Sequence, residues 1–232
     1  MNIYARSSIT QMSASEITDE IPDRSQMILS NMKFAYKKEE PVFDIPRMEI
    51  PVGEIIAVTG TNGAGKSTFL RCLCGLEKRC KATLRLGDEI WKNKERRQNI
   101  YLVMQDVNHQ LFTDSVLEEV MISQEREDKD AALKILESLD LLEYAQRHPL
   151  SLSGGQKQRV SIASAIASER KIVLFDEPTS GLDYRHMLQV SEICKKLKDS
   201  GKTVMIVTHD AELIKSACTH IIHFQKIVGT SM

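Results

Sequence analysis

From Met27 the chain alternates apolar and polar positions through MILSNMKFAY, the two-residue period of a half-buried strand. GEIIAVTG is different in kind: continuously apolar, β-branched and closed by glycine, as a strand covered on both faces is. KSTFLRCLCGL then reads as a helix closed by Gly75, and short apolar runs at Ala82–Leu86 and Asn99–Met104 predict further strands. Residues 115 to about 146 are charged with helical spacing, clearest over Asp128–Leu142. A helix is predicted over about Gly154–Ala167, followed by the buried-strand run KIVLF. A second helix, over about Tyr184–Leu197, precedes the buried-strand run TVMIVTH.

Continuously apolar strands alternating with helices predict an α/β domain around a mainly parallel sheet. The helix-rich stretch of about 106–168 reads as a subdomain inserted into that core. Residues 1–26, rich in Ser, Thr, Asp and Glu, read as a flexible N-terminal extension, leaving 27–232 as the domain. No internal repeat is visible.

Composition narrows the class. A chain of 232 residues, 42% hydrophobic, suffices for one sizeable domain. The 31 Lys and Arg against 32 Asp and Glu give a net charge of -1, so the whole chain has no electrostatic reason to seek nucleic acid or an acidic membrane surface. Cys72, Cys74, Cys80, Cys194 and Cys218 are odd in number and contain no C-x-x-C pair, which fits free thiols in a reducing compartment. His220 and His223 lack a carboxylate or thiol neighbour and read as strand or surface histidines. No stretch approaches the roughly 20 apolar residues that span a bilayer, and the N-terminus has no secretory signal. Any membrane part must then come from another chain.

Three segments carry chemistry. GTNGAGKST, Gly60–Thr68, has the G-x-x-x-x-G-K-[ST] spacing between a strand and a helix. Its glycines let successive N–H groups curl around phosphate oxygens, Lys66 reaches the phosphates, and Ser67 offers a hydroxyl to Mg2+. KIVLFDEP ends a buried strand in two carboxylates: Asp176 suits Mg2+, and Glu177 suits a group that polarises water. LSLSGGQ places Ser153 as the N-cap of a long helix, an end that can bind an anion.

The succession GTNGAGKST, Gln105, LSGGQ, LFDE, Asp183 and His209 resembles the nucleotide-binding domain of the ABC ATPase superfamily, from about Met27 to Phe224. That resemblance implies a P-loop NTPase core with an antiparallel β subdomain and an inserted helical subdomain. It implies ATP and Mg2+ as cofactors. Asn62, Gly63, Ala64, Gly65, Lys66, Ser67 and Thr68 would surround the phosphates, and Tyr36 would stack on adenine. Gln105, with Ser67 and Asp176, would sense or hold Mg2+ while its loop docks a transmembrane partner. Glu177 and His209 would be catalytic. Ser153, Gly154, Gly155 and Gln156 would close over ATP held by the opposite subunit, and Asp183 would link the two sites. A homodimer, or a heterodimer with another ABC ATPase subunit, at the cytoplasmic face of the membrane is the implied assembly.

Every motif position carries its expected residue. The departure is at the end, where the family's glycine-containing hairpin is abbreviated to QKIVGTSM and no C-terminal regulatory domain follows. After Gln105, the QLF and SV-x-EEV of DVNHQLFTDSVLEEV resemble the ATPases of energy-coupling factor transporters, which are importers. Leu111 and Phe112 in this segment look exposed and read either as local packing or as lining a groove for a short helix of a transmembrane partner, and Ser115 with Glu118 as a capping box. The alternative class is a soluble ABC ATPase acting on ribosomes or DNA. It is disfavoured by the single domain and by the short separation between Lys66 and Ser153.

Overall fold

The computed structural model describes residues 3–5, 25–37, 40–180 and 183–224. In chain order its elements are β1 (Ile3–Ala5), β2 (Gln26–Lys37), β3 (Glu40–Pro51), β4 (Ile55–Gly60), α1 (Lys66–Leu73), β5 (Lys81–Leu86) and β6 (Glu89–Trp91). There follow α2 (Asn93–Asn99), β7 (Ile100–Val103), α3 (Val116–Met121), α4 (Lys129–Glu137), α5 (Gly154–Ala167) and β8 (Ile172–Asp176). The last elements are α6 (Tyr184–Asp199), β9 (Thr203–Val207), α7 (Ala211–Ala217) and β10 (His220–Phe224).

Two sheets form. The larger has the order β1-β10-β4-β9-β8-β7, and all its pairings are parallel except β1 on β10. The smaller is antiparallel, in the order β3-β2-β5-β6. This is the α/β architecture expected, with its antiparallel companion sheet. Residues 3–5, inside the stretch read as an extension, pair as β1 with His220–Ile222; the rest of residues 1–24 and the closing QKIVGTSM lie outside the described residues.

The continuously apolar runs are explained by burial on both faces. Ile55, Ala57, Val173, Phe175, Val204 and Ile206 face one cluster with the helices α3 to α6. Ile56, Val58, Ile172, Leu174, Met205 and Val207 face the other, with α1 and the antiparallel sheet. In β2 the alternation shifts phase between Leu29 and Met32, both fully buried. Asn31 between them is left-handed (φ 56), and the pairing with β5 slips there, the mark of a bulge.

The stretch of 106–168 holds α3, α4 and α5, which pack on one another through Val116, Val120, Ala132, Leu136, Val160 and Ala163. The amphipathic stretch expected over Asp128–Leu142 forms a helix only as far as Glu137, because Asp140 turns left-handed (φ 54). Asp128 caps this helix by accepting from the Ala131 amide. Two local expectations are corrected. Leu111 is 4% exposed and belongs to the helical core, whereas Phe112 is 73% exposed, so the two do not form one surface pair. Ser115 caps α3 by accepting from the Glu118 amide, but the carboxylate that turns back on the loop is Glu119.

Candidate nucleotide site

Parallel strands deliver their C-terminal ends to one edge of a sheet, and the chemistry-bearing residues are at those ends. β4 ends at Gly60, β8 at Asp176 and β9 at Val207, one residue before Thr208 and two before His209; β7 runs out towards Gln105. Register fixes the alignment, because Val207 pairs with both Val58 and Asp176.

The loop 60–65 is shaped by close packing. Gly60 has φ 138, and a Cβ there would lie 2.2 Å from the Phe224 carbonyl oxygen. Gly65 has φ 93, and a Cβ would lie 2.6 Å from Val42 Cγ1. Ala64 is buried while Asn62 and Gly63 are exposed, so the loop presents its crest outward. Lys66 is 7% exposed, and its Nζ donates to the carbonyls of Gly60 (2.8 Å) and Thr61 (3.1 Å). The amine thus lies over the loop, within reach of anything the loop encloses. Ser67 Oγ donates to Asp176 Oδ1 at 3.0 Å. Thr68 Oγ1 and the Tyr36 hydroxyl lie 2.9 Å apart, fixing the end of β2 beside the first turn of α1. The Tyr36 ring stands edge-on to Phe34 at 5.0 Å and remains 57% exposed.

Both strand-end carboxylates are held above the usual carboxylate range by burial. For Asp176 the Ser67 hydroxyl and the Lys66 charge pull the other way; for Glu177, His209 and Lys66 do. Glu177 is left-handed (φ 51), an uncommon conformation for a non-glycine residue, and its amide donates to Val207 at 2.9 Å. That turn brings its Oε1 to 3.2 Å from His209 Nε2. Hard oxygen donors at Ser67 and Asp176, 3.0 Å apart beside the loop 60–65, fit Mg2+, which usually takes few protein ligands and completes its shell from phosphates and water.

Other expected residues stand apart. Ser153 and Gly154 are exposed at the start of α5, where Ser153 Oγ accepts from the Gln156 amide and Gln156 Oε1 accepts from the Ser153 amide. Gly155 and Gln156 are half-buried in the same turn. Among the described residues no hydrogen bond or ion pair joins 153–156 to 60–68. Asp183 is exposed and caps α6, accepting from the His186 amide (2.9 Å) and ring Nδ1 (2.8 Å). Gln105 is exposed just beyond β7.

Three residues near the site were missed. Gln110 accepts from the Met104 amide (2.7 Å) and donates to the Leu102 carbonyl (2.5 Å), splinting the chain that leads to Gln105. Nothing in its sequence context marks it. Lys157 donates to Asn108 Oδ1 at 3.0 Å, linking that loop to α5. Glu119 is 4% exposed and accepts from the amides of Phe112 and Thr113 and the Thr113 hydroxyl. Helical spacing was a usable signal here, since 119 shares a face with the buried Val116 and Val120.

A G-x-x-x-x-G-K-[ST] loop between a buried strand and α1, with a strand-end acidic pair beside it, is the arrangement of the P-loop nucleotide-binding class. Within it the helical insertion and its LSGGQ end are distinctive. Residues 43–180 match the family described as ABC transporter, and the chain belongs to that family, whose ATP-binding members are ATPases. It is 46% identical over 170 residues to an ABC transporter ATP-binding protein of Treponema denticola, covering 73% of this chain and 35% of that protein. It is 41% identical over 185 residues to the arginine transport ATP-binding protein ArtM of Bacillus subtilis, covering 75% of this chain and 77% of that one. Among solved structures it resembles cbiO1 of Clostridium perfringens, part of the ABC transporter complex cbiONQ, with TM-score 0.72 and 25% identity over 86% and 84% of the two chains. The match spans 35%, 41% and 34% of the length of three of the curated relatives, so those proteins are much longer than this chain. Among the described residues no helix is long and apolar enough to cross a membrane.

Proposed function

We propose that this chain binds MgATP between its own phosphate loop and the signature of a second ATP-binding subunit, and that hydrolysis there drives an importer of the energy-coupling factor type. The observation that carries the composite site is the division of the polar residues into two groups. The loop 60–68, Asp176, Glu177 and His209 gather at one sheet edge, while Ser153–Gln156, with Ser153 and Gly154 exposed, open α5 and among the described residues make no hydrogen bond or ion pair to that group. Phosphoryl transfer needs charge stabilisation from more than one side, and the exposed signature of a head-to-tail partner supplies the second.

In this reading the amides of Asn62, Gly63, Ala64 and Gly65 cradle the phosphates, and Lys66 swings from its loop carbonyls to the β/γ oxygens. Thr68 lies beside them and Tyr36 stacks on the adenine. Ser67, Asp176 and Gln105 would hold Mg2+, which would neutralise charge on the phosphate oxygens. Glu177 orients and polarises the attacking water, steadied by His209 at 3.2 Å. Asp183, at the start of α6, relays closure to the opposite site. The partner is a second copy or another ABC ATPase subunit, and the loop after Gln105 meets a transmembrane subunit at the cytoplasmic face. Residues 27–232 form the ATP-binding domain of that assembly. Support for import comes from the QLF and SV-x-EEV segment, and support for transport from the family.

The test is Glu177→Gln. It keeps the side chain's size and removes the carboxylate, so MgATP is expected to trap a dimer in sizing chromatography with turnover reduced by about 100-fold or more. Wild-type turnover in this variant removes Glu177 from the reaction. Co-purification with a small multispanning protein tests the importer.

A further inference from the structure

Arg96 is the largest fully buried polar side chain among the described residues, at 0% exposure, and no motif includes it. It projects from α2 onto the far end of α1. Its Nη1 donates to the carbonyls of Cys72 (2.8 Å) and Leu73 (3.5 Å), and its Nη2 to Asn93 Oδ1. Its Nε has no partner, and among the described residues no carboxylate forms an ion pair with it. Burying a guanidinium without a carboxylate is costly, and burial does hold its pKa below the usual arginine value.

Ordinary capping does not require that cation. The Gly75 amide already donates to Cys72 and the Leu76 amide to Arg71, the usual closure of a helix C-terminus. Gly75 also lets α2 come close: φ is 78, and a Cβ would lie 2.7 Å from the Asn93 carbonyl. α1 has eight residues, so about 12 Å of helix separates Arg96 from the phosphate loop. One end of α1 opens the cradle, and its negative end rests on a buried positive charge.

We infer that Arg96 is a positioning residue for nucleotide: its charge fixes the C-terminal end of α1 and so holds Lys66 and Ser67, at the other end, in phosphate-binding register. The inference rests on reading residues 60–68 as the phosphate loop. Arg96 touches no substrate and acts through the helix.

The experiment is MgATP titration calorimetry on the full chain, well below its melting temperature, paired with thermal melts. Arg96→Gln removes the charge and keeps a neutral amide donor on the side chain, and it is expected to bind MgATP about three- to tenfold more weakly. Arg96→Lys restores the charge and is expected to stay within about twofold of wild type. Wild-type affinity in Arg96→Gln, with only the melting temperature lowered, makes Arg96 a structural cap and overturns the inference. So does an Arg96→Lys variant as weak as Arg96→Gln. Lys66→Ala separates the underlying reading: if it binds MgATP as wild type does, the phosphate-loop assignment has failed, and the inference with it.

Discussion

Ser67 Oγ donates to Asp176 Oδ1 at 3.0 Å, joining residues 109 apart in sequence: the first turn of α1 and the end of β8. The bond spans the position where phosphate-bound Mg2+ is proposed. Asp176 is 9% exposed, and one serine hydroxyl with the nearby Lys66 does not offset the burial of its charge. The site is thus destabilised without its ligand, as functional sites often are.

Asp176→Asn should therefore stabilise the Mg2+-free chain while abolishing Mg2+-dependent ATP binding. Asp176 and Glu177 both have raised pKa values in the folded chain, mainly from burial. Between the ordinary carboxylate value and the raised one the folded state holds more protons than the unfolded state. Stability from these groups is accordingly lost as pH rises through that window and stays lost above it. Melts in a chelator near pH 8 should show Asp176→Asn about 2–4 °C above wild type, the shift that a gain of ~1 kcal/mol gives a domain of this size. The gap should narrow toward about pH 5. A variant that melts below wild type at both pH values removes the argument.

Gly60 and Gly63 should respond differently to alanine. A Cβ at Gly60 meets backbone oxygen of the paired strand at 2.2 Å, which no rotamer relieves, and Gly60→Ala should lose about 3 kcal/mol or more in denaturant unfolding. Gly63 has φ 76 but open space, so Gly63→Ala should lose only about 1–2 kcal/mol. Equal losses would mean that strand pairing does not shape the loop.

Much of this was legible in the sequence, and for physical reasons. KIVLF and TVMIVTH could be read as buried strands because each face needs apolar cover, and the loop 60–65 because its glycines allow positive φ, with Gly60 and Gly65 also in places too close for a Cβ. What escaped notice depends on long-range packing. Arg96 looks like one of several surface cations in KNKERRQN until α2 is seen against α1. Gln110 is one polar residue among many until its amide is found bonded to Leu102 and Met104. Leu111 and Phe112 are alike in sequence, and only the packing of α3 and α5 separates them.

Ser153→Arg tests the composite site. Ser153 is exposed and its hydroxyl bonds the helix through the Gln156 amide at 3.4 Å, so the variant should fold, losing about 1 kcal/mol for the cap. Equilibrium binding of ATP to the isolated chain should stay within about twofold of wild type, because Ser153 has no bond to the chain's own phosphate loop. Hydrolysis should fall by about 100-fold or more, as when an oriented donor to developing charge is removed. Collapse of ATP binding together with unchanged turnover per bound ATP would refute the assignment in trans.

Phe112 and Leu111 offer the sharpest test of the membrane link, since neighbours in sequence should fail in opposite ways. Phe112 is 73% exposed, yet its backbone is pinned by the buried Glu119 carboxylate at 3.0 Å. A rigidly held, exposed aromatic suits an anchor for a partner's groove or helix. Phe112→Ala should leave the melting temperature and basal ATPase nearly unchanged and should weaken capture of the transmembrane subunit by about 1–3 kcal/mol. Leu111→Ala, in the helical core, should instead cost about 2–5 kcal/mol of stability. Glu119→Ala leaves the Phe112 and Thr113 amides without their acceptor and frees the loop, so it should weaken capture while Phe112 itself is intact. Detergent co-purification with the membrane subunit, run beside melts of each variant, separates the three. If Phe112→Ala changes neither capture nor stability, the loop after Gln105 docks through other residues.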